Sequence, residues 1–187
     1  MKRTQNQRGY TLLESIMFIA VITVVSIGIV KVINSMLDRY KISRLTSQVT
    51  ELQKMINVRF AASENYRKLH HSLIHDEKLY PGDINWDGSK MLHKYGGEID
   101  VRPVLSGRAY DITFKQLPKT ACVELAIQNW AHDQSSNLIY MKVNDYKNVW
   151  RKGANDNPKV KIMPISVVEA EDECSSELNN EIIWRFQ

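Results

Sequence analysis

Proline is missing from the first 80 residues, and Gly28 is the only glycine between Gly9 and Gly82. Proline removes a backbone donor and glycine weakens a helix, so nothing local interrupts a helix through this region. Charge is missing too: from Tyr10 to Val30 the only charged side chain is Glu14. Cysteine is scarce. Cys122 and Cys174 are the only two, which excludes a disulfide-dense scaffold and a four-cysteine zinc site. There is no Cys-x-x-Cys, no glycine-rich phosphate loop and no nucleophile elbow, so the chain implies neither an enzyme nor a cofactor.

What is present first is a span. The 21 residues from Tyr10 to Val30 rise about 1.5 Å each, roughly 31 Å in all, against a bilayer hydrocarbon core of about 30 Å. Lys2, Arg3 and Arg8 precede it, which fits an N-terminus retained on the cytoplasmic side. A secretory signal would have a shorter apolar run with a cleavage site after it. Here the junction, Gly9-Tyr10, comes before the run, and processing there would leave the span in the mature chain.

The net charge of +4 and pI near 9.0 suggest nucleic acid at first sight. The distribution argues otherwise. Residues 31–68 hold eight Lys and Arg against three Asp and Glu, whereas residues 69–187 hold fourteen against seventeen. The C-terminal region is therefore acidic, which argues against a broad DNA groove and leaves only a local patch such as Lys147, Arg151 and Lys152.

The segment RGYTLLES resembles the cleavage motif of type IV prepilins: a basic leader ending in glycine, an apolar or aromatic first mature residue, and glutamate at the fifth. The resemblance implies that Gly9 ends the leader and that a prepilin peptidase exposes Tyr10, which is then N-methylated. It also implies that Glu14 is the assembly acid. A carboxylate deep in a membrane helix costs about 2.5–3.5 kcal/mol. Glu14 either snorkels to the interface about one turn away, or pairs with the Tyr10 ammonium of a neighbouring subunit and fixes axial register.

Beyond the span, Leu37, Ile42, Leu45, Val49, Leu52, Ile56 and Phe60 form a stripe, the last six at spacings of three or four. This predicts an amphipathic continuation, one helix from about Tyr10 to about Lys68. The stripe is expected to pack on the chain's own head, with a coiled-coil stalk as the alternative. Residues 69–98 lack periodicity and read as a long connection. Within it, His70, His71 and His75 lack further ligands at zinc-like spacing and read as a solvated helix end. Asp83, Asn85, Asp87 and Gly88 spell the opening of a calcium loop, but Lys94 occupies the position of its bidentate glutamate, and an Asx-rich turn is preferred.

Alternating apolar residues predict strands at Ile99–Val101, Tyr110–Phe114, Leu138–Val143 and Ile182–Phe186, with their aromatics in the core. Lys159–Val168 also reads as strand-like around Pro164. Pro118 and Thr120 open a helix whose Cys122, Leu125, Ala126 and Trp130 share a face. On a translocated domain Cys122 and Cys174 read as a disulfide, against two buried thiols.

YGGEIDV, AYDITF, LPKTACVEL and the closing EIIWRF after Cys174 resemble class b type IV pilins, most of all the thin-pilus subunits of conjugative plasmids. The expected fold is α+β, a long N-terminal helix packed on a disulfide-closed, mainly antiparallel head with a short head helix. The expected divisions are a cleaved leader at 1–9, a membrane half at 10–30, an amphipathic half at 31–68 and a head at 69–187. The implied function is a structural pilus subunit, stored in the bacterial inner membrane and polymerised through its helix. It would serve adhesion, aggregation or mating-pair contact. The alternatives are a secretion-system pseudopilin or a minor tip pilin binding DNA or a receptor. Implied partners are further copies of the chain, the prepilin peptidase, the assembly machinery, the inner membrane, and other cells or surfaces.

Overall fold

The structure is a computed structural model that describes residues 12–130, 137–144, 148–151 and 160–187. The chain divides into two units between Tyr40 and Lys41. Helix α1 (Leu12–Phe60) contributes to both. In the second unit its residues Leu45, Val49, Leu52, Ile56 and Phe60 are buried, as spacings of three and four require of a one-sided helix. They share a core with Ile99, Ile112, Phe114, Met141 and Trp184. The stripe therefore packs on the chain's own sheet and is not a separate stalk. Leu37 does not belong to it, lying in the first unit and 51% exposed.

Helix α1 ends at Phe60, short of the expected Lys68. Ala61 is a good helix former, so propensity does not stop it. Tertiary contacts do. The Tyr66 ring lies 5.4 Å from that of Phe60 and 4.7 Å from that of Tyr110. Its N–H donates to the Gly107 carbonyl at 2.7 Å, and Arg67 Nε donates to the Ser106 carbonyl at 2.9 Å. Gly107 has φ +86° and Arg67 stands where a Cβ would go, so this turn takes only glycine.

The long connection at 69–98 contains α2 (His71–Asp76), β1 (Asn85–Trp86) and β2 (Met91–Leu92). Then follow β3 (Glu98–Val104), a 3-10 turn (Leu105–Gly107), β4 (Ala109–Leu117) and α3 (Lys119–Ala126). The chain continues through β5 (Leu138–Val143), β6 (Val149–Arg151), β7 (Val160–Ile162), α4 (Val167–Glu173) and β8 (Asn180–Phe186). Among the described residues these strands make one sheet in the order β1-β2-β3-β4-β8-β5-β6-β7. Only β6 and β7 pair in parallel. The α+β class and the mainly antiparallel head follow as expected.

Strand β8 alternates as its sequence predicts, with Ile182, Trp184 and Phe186 buried. Trp184 stands opposite Ile112 of β4 on one side and Met141 of β5 on the other. The region expected as strand from Lys159 to Val168 is different. Lys159 lies outside the described residues, β7 covers three residues, and Val167 already opens α4. The sequence signal for this helix is Ser166-x-x-Glu169. Glu169 N–H donates to Ser166 Oγ at 3.3 Å and Ser166 N–H donates to the Glu169 carboxylate at 3.2 Å, a capping box.

Cys122 of α3 and Cys174, the residue capping α4, form a disulfide with Cα atoms 5.9 Å apart. Both are fully buried. The bridge closes the segment that leads into β8, and Asn180 completes the junction. Its Nδ2 donates to the Leu117 carbonyl at 3.1 Å, and its Oδ1 accepts from Ser176 N–H at 3.1 Å. Replacing either cysteine by serine is expected to lower stability by about 2–5 kcal/mol. Urea denaturation of the variant and unaltered proteins measures this, and an unchanged midpoint would show that the bridge does not stabilise the head.

Candidate assembly surface

From Ile16 to Val30 α1 is apolar around its circumference, and its side chains from Ile16 to Tyr40 are exposed. A helix of this kind belongs beneath other protein or in an apolar solvent. Its length and composition suit a membrane crossing. Two hydroxyls in the run are turned onto the helix itself. Thr23 Oγ1 donates to the Ile19 carbonyl and Ser26 Oγ to the Ile22 carbonyl, each at 2.8 Å, which removes two free hydroxyls from the surface.

Glu14 lies in the first turn of α1 and is exposed. An acid there complements the positive end of the helix dipole, worth about 0.3–1 kcal/mol at an exposed site. Gly9 and Tyr10, the expected cleavage and methylation residues, lie outside the described residues.

The polar candidates in the second unit separate. Asp83 Oδ2 accepts from Arg44 Nε at 3.0 Å and from Gln48 Nε2 at 3.1 Å, with Lys94 Nζ at 4.0 Å. Asp87 Oδ1 accepts from the N–H groups of Ser89 and Lys90 at 2.9 and 2.8 Å, bonds that hold its carboxyl below the ordinary range. Asn85 is exposed on β1. Asp83 thus faces cationic side chains while Asp87 closes an Asx turn, the reading preferred over a calcium loop. Among the described residues no three His, Cys, Asp or Glu side chains gather as a metal site.

The three neighbouring histidines also part company. His70 Nδ1 accepts from Leu73 N–H at 2.9 Å and caps α2. His75 lies against Trp86, ring centres 4.2 Å apart. His71 Nε2 bonds Asp100 Oδ1 on β3 at 2.7 Å and so ties α2 to the sheet. Of the basic patch considered for DNA, Lys147 and Lys152 lie outside the described residues, and Arg151 stacks over Tyr140.

Two buried polar groups were not singled out from the sequence. Arg185 Nε and Nη2 donate to the two oxygens of Asp111 at 2.7 and 2.8 Å, with the Asp111 side chain only 2% exposed. His93 is buried between the Lys115 carbonyl, which it meets at 2.8 Å, and Tyr95 N–H; burial pushes its pKa down and favours the neutral ring. A charge pair across two β strands shows no periodicity of its own.

A bare apolar helix that continues into a disulfide-closed, mainly antiparallel head defines a type IV pilin. The family described as PilS N terminal matches residues 39–186, and the chain belongs to it. The major structural subunit of the bundle-forming pilus of Escherichia coli O111:H- is 25% identical over 173 residues, 91% of this chain and 89% of that protein. The corresponding subunit of E. coli O127:H6 (strain E2348/69 / EPEC) matches to the same extent. The crystal structure of TcpA, a type IV pilin from Vibrio cholerae El Tor biotype, aligns with a TM-score of 0.53 and 11% identity. The alignment covers 79% of this chain and 99% of that one, a likeness of fold.

The His71–Asp100 pair sets a pH dependence. The hydrogen bond to Asp100 raises the His71 pKa, so its share of stability is full below about 6.5, the unfolded value, and is lost as pH rises through the folded value. The same bond lowers the Asp100 pKa, so its share is present above about 3.9 and is lost as pH falls through the folded value. In an NMR titration the His71 midpoint is expected above that of an ordinary imidazole and should fall in Asp100→Asn. A midpoint indifferent to that substitution would remove the pair.

Proposed function

We propose that this chain is a structural subunit of a type IV pilus, made as a prepilin and held in the bacterial inner membrane by residues 10–30. The observation that carries the reading is the uncovered apolar surface of α1 in the first unit. Before assembly lipid covers that surface; in a fibre, the corresponding helices of other copies do. Further support comes from the family match and from relatives named as pilus subunits. Residues 1–9 serve as the leader, a prepilin peptidase cuts between Gly9 and Tyr10, and the new amine is methylated. An assembly machinery then extracts the subunit into an extracellular fibre that serves adhesion, aggregation or mating-pair contact.

Within this reading Glu14 sets the register. In the bilayer it lies close enough to one end of the span to reach water. Inside a bundle of helices water is scarce, and the Tyr10 ammonium of an adjacent subunit is the available counter-charge. N-terminal sequencing of membrane-extracted protein is expected to begin at N-methylated Tyr10; an intact Met1 would exclude the processing step.

Glu14→Gln keeps size and hydrogen bonding but removes the charge. It is expected to insert, to be cleaved after Gly9 and to form the Cys122–Cys174 bridge, yet to yield few or no filaments by electron microscopy. Filaments at the unaltered level, with no other subunit supplying the acid, would show that the charge does not set register.

A further inference from the structure

His93 lies where β2 turns into β3, and it is 1% exposed. The turn is tight. His93 N–H donates to the Gly97 carbonyl at 2.9 Å, and Gly96 N–H donates to the His93 carbonyl at 2.7 Å. A Cβ on Gly97 would collide with His93 Nε2 and with the Lys115 carbonyl of β4. The imidazole stacks on Phe114, also of β4, with ring centres 5.6 Å apart. It therefore ties the turn to β4 across the intervening strand β3.

The partners of the two ring nitrogens fix the tautomer. Tyr95 N–H donates to Nδ1 at 3.2 Å, so Nδ1 carries a lone pair. The proton is then on Nε2, which donates to the Lys115 carbonyl at 2.8 Å. The neutral ring is satisfied at both ends. A second proton would go to Nδ1, set its N–H against Tyr95 N–H, and place a charge in a buried site. The charged residues on the elements about the ring are Lys94 on the turn, Glu98 and Asp100 on β3, Lys115 on β4 and, beyond Tyr95, Lys41 on α1. Each is engaged elsewhere: Glu98 with Lys90 and Lys115, Asp100 with His71, Lys94 with Asp83, and Lys41 over the Tyr95 ring at 5.0 Å. No carboxylate bonds the imidazole to welcome its cation.

Little else holds this arm to the sheet. Strands β1 and β2 pair through two residues each at the sheet edge, and β2 meets β3 only at Ile99 and Glu98. Ladders this short open locally at low cost. The arm also reaches α1, since the Tyr95 ring lies under Lys41 and Asp83 accepts from Arg44 and Gln48.

We propose that His93 is an acid-released latch: protonation of its ring frees residues 83–97 from β4 and loosens their hold on Lys41, Arg44 and Gln48 of α1. Burial places the pKa of the latched ring below the ordinary value. The latch is therefore at full strength above about 6.5, the value of a free imidazole, and weakens as pH falls from there towards the folded value.

The test follows amide hydrogen exchange in the full-length protein in detergent micelles at about pH 7.5 and about pH 5, corrected for the intrinsic pH dependence of exchange. An open state with an ordinary imidazole takes up its proton across that interval. Exchange at Met91, Leu92 and Tyr95 relative to Ile112 and Ile182 is expected to rise about thirtyfold. In His93→Gln, whose amide can still donate to the Lys115 carbonyl but does not titrate, the rise is expected to stay within about threefold, although His70, His71 and His75 are unaltered. A rise of less than about threefold in the unaltered protein, or an equal rise in His93→Gln, would overturn the latch. An NMR titration of the unaltered protein tests it without any variant. The His93 ring is expected to protonate below an ordinary imidazole and together with loss of protection at the Tyr95 amide. Protonation with that amide still protected would overturn the proposal.

Discussion

The last strand of the chain lies in the middle of its sheet. Strand β8 pairs with β4 on one side and β5 on the other, so the sheet is two separate pieces until residues 180–186 arrive. That constraint is non-local, and the structure answers it three times over. The disulfide pins Cys174, at the start of the segment leading into β8, to α3. Asn180 bonds the end of β4 and the turn that precedes it. Arg185 grips buried Asp111 with both prongs of its guanidinium while stacking on Tyr140. Each device ties β8 to something distant in sequence, and Trp184 then fills the space between the two halves.

Helix α1 meets two different surroundings along its length. From Lys41 onward, one stripe is buried against the sheet and polar residues hold flanking segments, as Gln48 and Arg44 hold Asp83. Before Lys41 there is no such sidedness. From Ile16 to Val30 apolar side chains point in every direction, and the hydroxyls of Thr23 and Ser26 are satisfied by their own helix. A helix with one apolar face is built for one neighbour; a helix with no polar face is built for a medium or a bundle. The sequence changes character at Lys31, within the first unit, and the one-sided stripe begins after Lys41.

The connection between α1 and β3 shows how polar residues that invite a site can serve the fold. Three histidines within six positions cap a helix, tie it to a strand and cover a tryptophan. Two aspartates of a calcium-like spacing separate into an ion-paired brace and a turn. His70, His71, Asp83 and Asp87 each have a hydrogen-bond partner within the fold.

The sequence by itself determined what depends on period and composition. The apolar run, the stripe from Leu45 to Phe60, the alternation of Ile182, Trp184 and Phe186, and the two cysteines on a translocated head were all legible, because burial imposes a period on each element separately. Tertiary structure alone decided the rest. Helix α1 ends at Phe60 because Tyr66 and Arg67 dock on a turn about 40 residues away in the chain, a contact no local propensity encodes. Helix α4 hid behind apolar residues read as a strand, although its capping box was written in Ser166 and Glu169. The place of β8 between β4 and β5, and the pairing of Asp111 with Arg185, became visible only in three dimensions. They are set by which strands meet, and strand pairing is a choice among distant segments that the period of any one of them leaves open.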